Sequence, residues 1–279
     1  MLLRMDQRLE PGLYIVATPI GNLGDITVRG AEVLRTVSAV ACEDTRVTGK
    51  LLHHLGIKQR LIRHDDHASD SERDGLLALA SREPVALVCD AGTPLISDPG
   101  YRLVRSARER GVAVTSLPGP SAAIVALSMA GLPTDRFLFA GFLPPKAKAR
   151  GDALTELAGL RATLVFYETG PRLAAMLADL GEIMPGREVV VARELTKLHE
   201  ECRSGSTAEL IAHYAAHPPK GEIVVLAGPP GEAAAQDWDI DALLRAELAQ
   251  AKPSQAAGAV AKLTGQDRKA LYARALELK

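Results

Sequence analysis

The stretch Asp90-Ala91-Gly92-Thr93-Pro94-Leu95-Ile96-Ser97-Asp98-Pro99-Gly100 is a glycine- and proline-rich turn that comes directly after the apolar run 85–88. Two similar turns also follow apolar runs: ATPIGNLGD (17–25) after 13–16, and PGPSA (118–122) after 112–114. An α/β sheet forms a binding crevice at the carboxyl ends of its strands, where each strand is followed by a glycine turn and then a helix. Any one of these turns is also typical of an ordinary βα connection, but the three together predict a ligand site.

The chemistry of the three turns narrows the class of ligand. They contain neither a G-x-x-x-x-G-K-[ST] phosphate loop nor, after the first strand, a G-x-G-x-x-G dinucleotide motif. Instead they offer backbone amides, hydroxyls, small apolar side chains and the carboxylates of Asp90 and Asp98. We therefore expect a nucleoside-like ligand without a phosphate tail, and one that can carry positive charge.

Apolar periodicity predicts strands that alternate with helices along most of the chain. The predicted strands are 13–18, 39–43, 60–64, 85–90, 112–116, 136–142, 163–168, 188–194 and 222–227, and the later helices are 147–159, 171–184 and 206–216. Because strands separated by single helices favour parallel pairing, we predict two α/β domains with mainly parallel sheets. The predicted boundaries are 1–119 for the N-terminal α/β domain, 120–231 for the C-terminal one and 232–279 for a helical, helix-turn-helix-like appendage.

The composition is that of an ordinary globular protein, with 47% hydrophobic and 24% charged residues in a chain of 279. The formal net charge of −1 is unusual for a protein that binds RNA, so any phosphate contacts require locally clustered Lys and Arg. Three isolated cysteines argue against a zinc site or a disulfide framework. The charged start is too short for a signal peptide, and no apolar run reaches about 18 residues. We expect a cytoplasmic location and no membrane contact.

Six runs, in chain order, closely resemble the tetrapyrrole-methylase superfamily: ATPIGNLGD, ACEDTR, DAGTPLISDPG, LPGPSA, FYETGPR and ARELTK. The resemblance covers nearly the whole chain. Within the superfamily, the runs are similar to its branch of small-subunit rRNA methyltransferases. The resemblance implies that S-adenosylmethionine is bound in the cleft between two α/β domains, often within a homodimer. It also implies that the acceptor is the ribose 2′-hydroxyl of a cytidine in the decoding region of 16S rRNA.

The same resemblance indicates which residues bind the cofactor. These are Ile20, Asp90, Thr93, Ile96, Ser121, Ala122, Tyr167, Glu194 and Leu195. Thr93 stands where relatives often carry Asp, so Asp90 or Asp98 is expected to supply the carboxylate instead. Two alternatives stay open. Ser121 is also suited to capping the helix that follows it. Core packing is the alternative to cofactor contact for Phe166 and Tyr167, and Phe166 suits both roles equally.

Methyl transfer to a ribose hydroxyl needs close positioning and either a general base or a cation that stabilises the alkoxide. The catalytic candidates at strand ends are Glu43, Arg46 and Lys197. The spacing of Glu43 and Arg46 suits a structural ion pair on the first turn of a helix equally well. For Lys197 the common alternative is a solvated side chain.

The run His64-Asp65-Asp66-His67 is compatible with a metal site. The polar residues that follow it are more typical of a mobile lid, and the superfamily has a comparable loop. Since methyl transfer from a sulfonium needs no metal, we predict that none is bound.

Positive charge is concentrated in two places that suit RNA. Lys146, Lys148 and Arg150 lie within five residues of one loop, and the tail from Gln250 onward carries a local charge of +4, including Arg268 and Lys269. The pattern of the tail predicts two helices joined by a glycine turn, with an aromatic residue, Tyr272, beside the cations. The alternative for the tail is a packing hairpin or a dimer contact.

Three other functions remain open. A tetrapyrrole or diphthine-type methyltransferase would keep the cofactor and change the acceptor, but would not need the basic tail. A non-catalytic ribosome-assembly factor would bind the cofactor as a sensor or not at all. A nucleotide hydrolase would need a clustered acidic metal site. We predict an rRNA 2′-O-methyltransferase that acts on 16S rRNA in the small ribosomal subunit.

Overall fold

A computed structural model of the chain describes residues 9–65, 68–231, 239–264 and 267–278. Its strands are β1 Gly12–Val16, β2 Ala39–Cys42, β3 Leu61–Arg63, β4 Pro84–Leu87, β5 Val114–Leu117, β6 Phe137–Phe142, β7 Thr163–Thr169, β8 Val189–Arg193, β9 Glu201–Gly205 and β10 Glu222–Ala227. Its helices are α1 Val28–Thr36, α2 Thr45–His54, α3 Asp70–Ala80, α4 Tyr101–Glu109, α5 Ala122–Met129, α6 Ala147–Leu157, α7 Gly170–Ile183, α8 Thr207–Ala216, α9 Ile240–Leu248, α10 Pro253–Thr264 and α11 Arg268–Glu277. All nine predicted strands are present to within three residues at each end.

The chain divides into two compact units, Met1–Pro230 and Gly231–Lys279. The first unit holds two five-stranded sheets, ordered β3-β2-β4-β1-β5 and β6-β7-β10-β8-β9. The predicted α/β fold class is therefore confirmed. No helix in the described parts of the chain is long and apolar enough to cross a membrane.

Every pairing in the first sheet is parallel. Its strands are apolar along their length because helices cover both faces of the sheet. On one face, Leu34 of α1 and Leu52 of α2 are buried in one cluster, and on the other, Leu77 of α3 and Leu103 of α4 are buried in a second. This packing brings the carboxyl ends of β1, β4 and β5 to a common edge.

The second sheet differs from the expectation of parallel pairing, since only β6 and β7 are parallel within it. Across both sheets, five of the eight strand pairings of the described residues are parallel. The cause is β9, which was not predicted. It forms a hairpin with β8 and reverses the chain direction once, so that β10 returns antiparallel between β7 and β8.

Strand β9 has the polar sequence ECRSG and lies at the edge of the sheet. Exposed edge strands often carry charged side chains. This strand therefore lacks the apolar pattern from which a strand is predicted. The strand is held by a cross-strand ion pair, Arg193 Nη2 to Glu201 Oε2 at 2.6 Å, and the Tyr214 hydroxyl donates to the same carboxylate. Opposite charges at paired positions are a known stabilising feature of antiparallel strands.

The second unit contains α9, α10 and α11. They pack around a small apolar core of Leu244, Ala257, Val260, Leu271 and Ala275. Arg274 of α11 binds Asp241 of α9 through two hydrogen bonds, of 2.6 and 2.9 Å. The helical C-terminal domain that the basic tail predicted is therefore present.

Candidate active site between the two sheets

The three turns singled out in the sequence meet at the carboxyl edge of the first sheet. Thr18 and Gly92 exchange two backbone hydrogen bonds, of 2.8 and 3.0 Å. The Thr93 hydroxyl donates to the carbonyl of Pro120 at 2.9 Å. These bonds join the first, second and third turns into one wall of a cleft.

The opposite wall comes from the second sheet, at the ends of β6 and β7, the β8–β9 loop and the start of β10. The cleft is lined by Ile20, Asp90, Ala91, Gly92, Thr93, Ile96, Ser97, Asp98, Ser121, Ala122, Phe142, Tyr167, Glu168, Thr169, Glu194, Leu195, Lys197, Glu222, Ile223 and Val224. All nine residues predicted to bind the cofactor are in this set, and so is the catalytic candidate Lys197. Phe166 is instead fully buried in the core of the second sheet.

Backbone strain is concentrated in two loops beside the cleft. Among the residues that the structure describes, four other than glycine have a positive φ: Leu95 and Ser97 in the second turn, and Glu194 and Thr196 after β8. Each such conformation costs of order 1 kcal/mol and persists only where the surroundings impose it. The two loops are thus held in conformations that local propensity does not favour, as is common at functional sites.

The carboxyl of Asp98 is the most perturbed group in the cleft. Burial, together with the nearby carboxylates of Glu43, Asp90 and Glu222, raises its pKa to about 6, although an interaction with the Cys89 thiol acts in the opposite direction. The clustering of carboxylates around this position disfavours further negative charge and favours a cationic ligand.

Lys197 forms an ion-pair network with carboxylates at the other wall. Its Nζ lies 3.0 Å from Glu194 Oε1 and 3.7 Å from Glu222 Oε2. A Cβ added at Gly221, where φ is +80°, would overlap Glu194 Oε1. A side chain at 221 would therefore displace the carboxylate that orients the ammonium group.

Ser121 and Tyr167 meet where the third turn passes into α5. Ser121 stands at the N-cap of α5 in an extended conformation, yet in this described segment its side chain makes no capping hydrogen bond. The Tyr167 hydroxyl instead interacts with the Ser121 hydroxyl and with the backbone of Ala123, and burial raises the pKa of Tyr167. Ser121 therefore occupies the N-cap position that was considered for it, without the capping hydrogen bond, and it also lines the cleft.

The other two catalytic candidates lie outside the cleft lining. Glu43 is half-buried at the end of β2, near enough to Asp98 to act on its pKa. Arg46 is exposed and binds Asp44, with its Nη2 2.6 Å from Asp44 Oδ2. This hydrogen bond holds the pKa of Asp44 well below its usual range. The ion pair on this helical turn is therefore made by Arg46 with Asp44.

The cations predicted to bind RNA have different surroundings. Lys146 and Lys148 are exposed at the start of α6. Arg150 is buried, and its Nε donates to Asp179 Oδ2 at 2.6 Å while its Nη1 donates to the carbonyl of Pro145 at 3.4 Å. A guanidinium in that position cannot reach a phosphate. The contacts of Arg150 are therefore structural, and differ from the RNA contact that its spacing predicted.

In the second unit, Arg268 and Lys269 are exposed at the start of α11. Arg268 Nη2 donates to the carbonyl of Ser254 at 3.3 Å. Tyr272 lies one turn further along the helix, 41% exposed. These side chains form a basic surface with one aromatic ring on this unit.

The structure describes only part of the run 64–67, which was considered as a metal site or a lid. His64 is buried and Asp65 pairs with Arg63, whereas Asp66 and His67 lie outside the described residues. Within residues 9–65, 68–231, 239–264 and 267–278, no group of three or more His, Cys, Asp or Glu side chains is arranged to hold a metal ion.

Sequence reasoning missed several cleft residues, mostly on the second wall. These include Phe142, Glu168, Thr169 and the β10 residues Glu222, Ile223 and Val224. Strand β10 was predicted, but its approach to the cleft depends on the unpredicted hairpin. Ser97 and Asp98 belong to the turn that was quoted first, and their strained backbone had no signal in the residue types.

Comparison with known families agrees with this geometry. The family described as Tetrapyrrole (Corrin/Porphyrin) Methylases matches residues 12–211, and the RsmI C-terminal HTH domain matches residues 233–279. The chain therefore belongs to the tetrapyrrole methylase family. The resemblance inferred from the six sequence runs is confirmed.

Individual relatives are more specific in name. The chain is 64% identical over 271 residues to a protein of Erythrobacter litoralis named Ribosomal RNA small subunit methyltransferase I, with 97% of this chain and 96% of the relative covered. A protein of the same name from Mesorhizobium japonicum is 50% identical over 274 residues, covering 97% and 93%.

Solved structures share the fold at lower identity. A diphthine synthase structure aligns with a TM-score of 0.62 at 16% identity, covering 77% of this chain and 89% of the other. Uroporphyrin-III-C-methyltransferase from Thermus thermophilus aligns with a TM-score of 0.56 at 22% identity, covering 78% and 94%. These similarities concern the fold alone.

Proposed function

We propose that the protein transfers the methyl group of S-adenosylmethionine to the ribose 2′-hydroxyl of a cytidine in the decoding region of 16S rRNA. The observation that carries the proposal is the convergence of all nine predicted cofactor residues on one cleft. The substrate class is supported by the name shared by relatives up to 64% identical over nearly the full length.

The donor set of the cleft fits this cofactor. The carboxylates of Asp90, Asp98 and Glu222 suit the positive charges of a sulfonium and an amino group. The small side chain of Ala122 and the apolar surface of Ile20 suit a nucleoside face. When bound, S-adenosylmethionine supplies a methyl group that its sulfonium already activates.

The protein's own contribution to the reaction is positioning and charge. The joined turns and the second wall hold the cleft in one geometry, which lowers the entropy lost on approach of the hydroxyl. Lys197, oriented by Glu194 at 3.0 Å, stabilises negative charge that develops on the ribose oxygen. Glu43 remains our candidate for accepting the hydroxyl proton.

We test these two roles with Glu43→Gln and Lys197→Met, measured at saturating cofactor. Loss of a general base or of an oxyanion donor lowers turnover by about 10² to 10⁴. Lys50→Met, an exposed lysine on α2, is the matched control and should leave turnover unchanged. If both test variants keep near-normal turnover, neither residue acts chemically.

We propose that the exposed cations bind the rRNA. Lys146 and Lys148 on the first unit, and Arg268 and Lys269 on the second, contact phosphates of a structured RNA surface. Arg150 is excluded from this set because it is buried with Asp179. A homodimer and a cytoplasmic location complete the proposal, and sedimentation analysis of the purified protein tests the first of these.

The deciding experiment incubates the protein with labelled S-adenosylmethionine and small ribosomal subunits that lack ribose methylation, with free 16S rRNA in parallel. Label recovered as 2′-O-methylcytidine supports the proposal and identifies the substrate form. Cofactor binding without transfer to either RNA overturns the rRNA assignment and favours a tetrapyrrole or protein acceptor. The absence of cofactor binding would overturn the methyltransferase assignment.

A further inference from the structure

A β-bulge brings an exposed aromatic ring into the cleft. Residues three apart in a regular strand point to opposite faces of the sheet. Phe139 and Phe142 of β6 nevertheless both contact the Tyr167 ring edge-to-face, with centroids 4.8 and 5.6 Å apart. The pairing register shifts between Phe139 and Gly141, where φ is +64°. Such a bulge re-aims the side chain that follows it.

The bulge is held from the first sheet as well. A Cβ added at Gly141 would lie 3.0 Å from Ser97 Oγ. Ser97 belongs to the strained second turn, with φ of +59°. The two walls therefore make their close approach next to Phe142, and the approach depends on the absence of a side chain at 141.

The chain after Phe142 is also fixed. Arg172 Nη2 donates to the carbonyl of Leu143 at 2.5 Å, and buried Arg150 donates to the carbonyl of Pro145. Phe142 itself remains 51% exposed at the cleft. A large aromatic ring that packs on Tyr167, precedes a segment anchored by hydrogen bonds and is still half exposed beside a site is suited to stacking against a planar ligand.

We infer that Phe142 binds the acceptor nucleotide by stacking on its base, while Lys146 and Lys148 contact the flanking phosphates. The inference rests on the proposed function and specifies the acceptor side of the same cleft. Single-stranded and flipped bases are commonly recognised by aromatic stacking combined with positive charge along the backbone. Phe142 was not among the residues expected from the sequence.

The test compares Phe142→Leu, Phe142→Tyr and Phe137→Leu in methyl transfer to small subunits. Phe137 lies in the same strand, is 44% exposed and lies outside the cleft lining. Loss of one base stack should lower kcat/KM of Phe142→Leu for RNA by about tenfold or more. Phe142→Tyr should retain most of the activity, and Phe137→Leu should match the wild type.

Cofactor affinity, measured by calorimetry without RNA, separates the outcomes. The inference predicts wild-type affinity for Phe142→Leu. If Phe142→Leu transfers methyl as well as Phe137→Leu, the inference is overturned. If Phe142→Leu weakens cofactor binding as much as transfer, Phe142 is a wall of the cofactor site and the inference is likewise wrong. Failure of the wild type to methylate RNA in the same assay would instead contradict the proposed function.

Discussion

The two sheets contribute to the same cleft through different kinds of structure. In the first sheet, the lining residues lie in turns at the carboxyl ends of parallel strands, which is where a parallel sheet places its binding residues. In the second, they lie at a bulge in β6, in a hairpin loop after β8 and at the start of the antiparallel strand β10. The first wall follows from a rule of topology, whereas the second depends on local exceptions to regular strands.

The difference suggests how each wall responds to substitution. The first wall is tied together by backbone hydrogen bonds between turns, such as those of Thr18 with Gly92. The second is held by side chains that fit around particular glycines, such as Glu194 against Gly221. We therefore expect that a large side chain filling the cleft is needed to disrupt the first wall. In the second wall, a single methyl group added at one of these glycines should be enough.

Among substitutions that alter the two walls, the largest expected effect is on the first wall. Ala122→Tyr fills the cleft at the third turn, and we expect cofactor affinity to fall by about 100-fold, or ~2.7 kcal/mol. Calorimetric titration with S-adenosylmethionine measures it. Ile124→Tyr, two residues along α5 at an exposed position, should bind like the wild type. Equal affinity for both variants would show that the cofactor does not occupy this turn.

On the second wall, Gly221→Ala forces a side chain onto a positive φ and onto the Glu194 carboxylate. Gly186→Ala has nearly the same φ, +79°, with open space around its Cβ. We expect Gly186→Ala to lose about 1 kcal/mol of stability from backbone strain and Gly221→Ala about 1–2 kcal/mol more. Urea unfolding measures both losses. Identical losses would contradict the packing of Glu194 against Gly221.

Protonation of Asp98, in the first wall, should make the stability of the protein depend on pH. Since its folded pKa of about 6 is above the ordinary value of 3.8, the folded state binds its proton more tightly, and stability falls as pH rises from about 4 to 6. Asp98→Asn should remove that slope and gain about 1 kcal/mol at pH 7, after allowance for screening. Urea unfolding across pH measures the slope, and a slope unchanged in Asp98→Asn would refute it.

The same carboxyl should affect ligand binding in the opposite direction. A cationic ligand favours the ionised form of Asp98, so wild-type affinity for S-adenosylmethionine should rise several-fold between about pH 5 and 7. The affinity of Asp98→Asn should be lower at pH 7 and nearly independent of pH. A wild-type affinity that falls over this range would be inconsistent with a cation beside Asp98.

The smallest expected effect concerns RNA. Replacing Lys146 and Lys148 together by Ala should weaken binding to small subunits and reduce the slope of log affinity against log salt by about 1 for each phosphate that is no longer neutralised. Lys50→Ala is the control for general charge. Filter binding at several salt concentrations measures the slopes, and an unchanged slope in the double variant would remove these lysines from the RNA surface.

The same contrast explains how much the sequence could predict. The first wall was predictable, because Gly, Pro and Asp after β-branched runs identify turns at strand ends, and parallel pairing brings such turns together. The six runs also located Tyr167, Glu194 and Leu195 on the second wall through their resemblance to a family.

What escaped prediction has a physical cause in each case. The polar run ECRSG carries no apolar alternation, so β9 and the reversed direction of β10 were missed. The bulge that re-aims Phe142 arises from register between two strands, which is a long-range property. Arg150 resembled an RNA contact by spacing alone, but on helix α6 its side chain is buried and binds Asp179.

We propose that one cleft, built from both sheets, methylates the small-subunit rRNA. The most direct test is nucleoside mass spectrometry of 16S rRNA from cells that lack the gene, complemented with the wild type, Ala122→Tyr or Ile124→Tyr. We predict 2′-O-methylcytidine restored by the wild type and Ile124→Tyr and absent with Ala122→Tyr at equal protein level. Unchanged 2′-O-methylcytidine in cells lacking the gene, or full restoration by Ala122→Tyr, would show that this cleft does not methylate the rRNA.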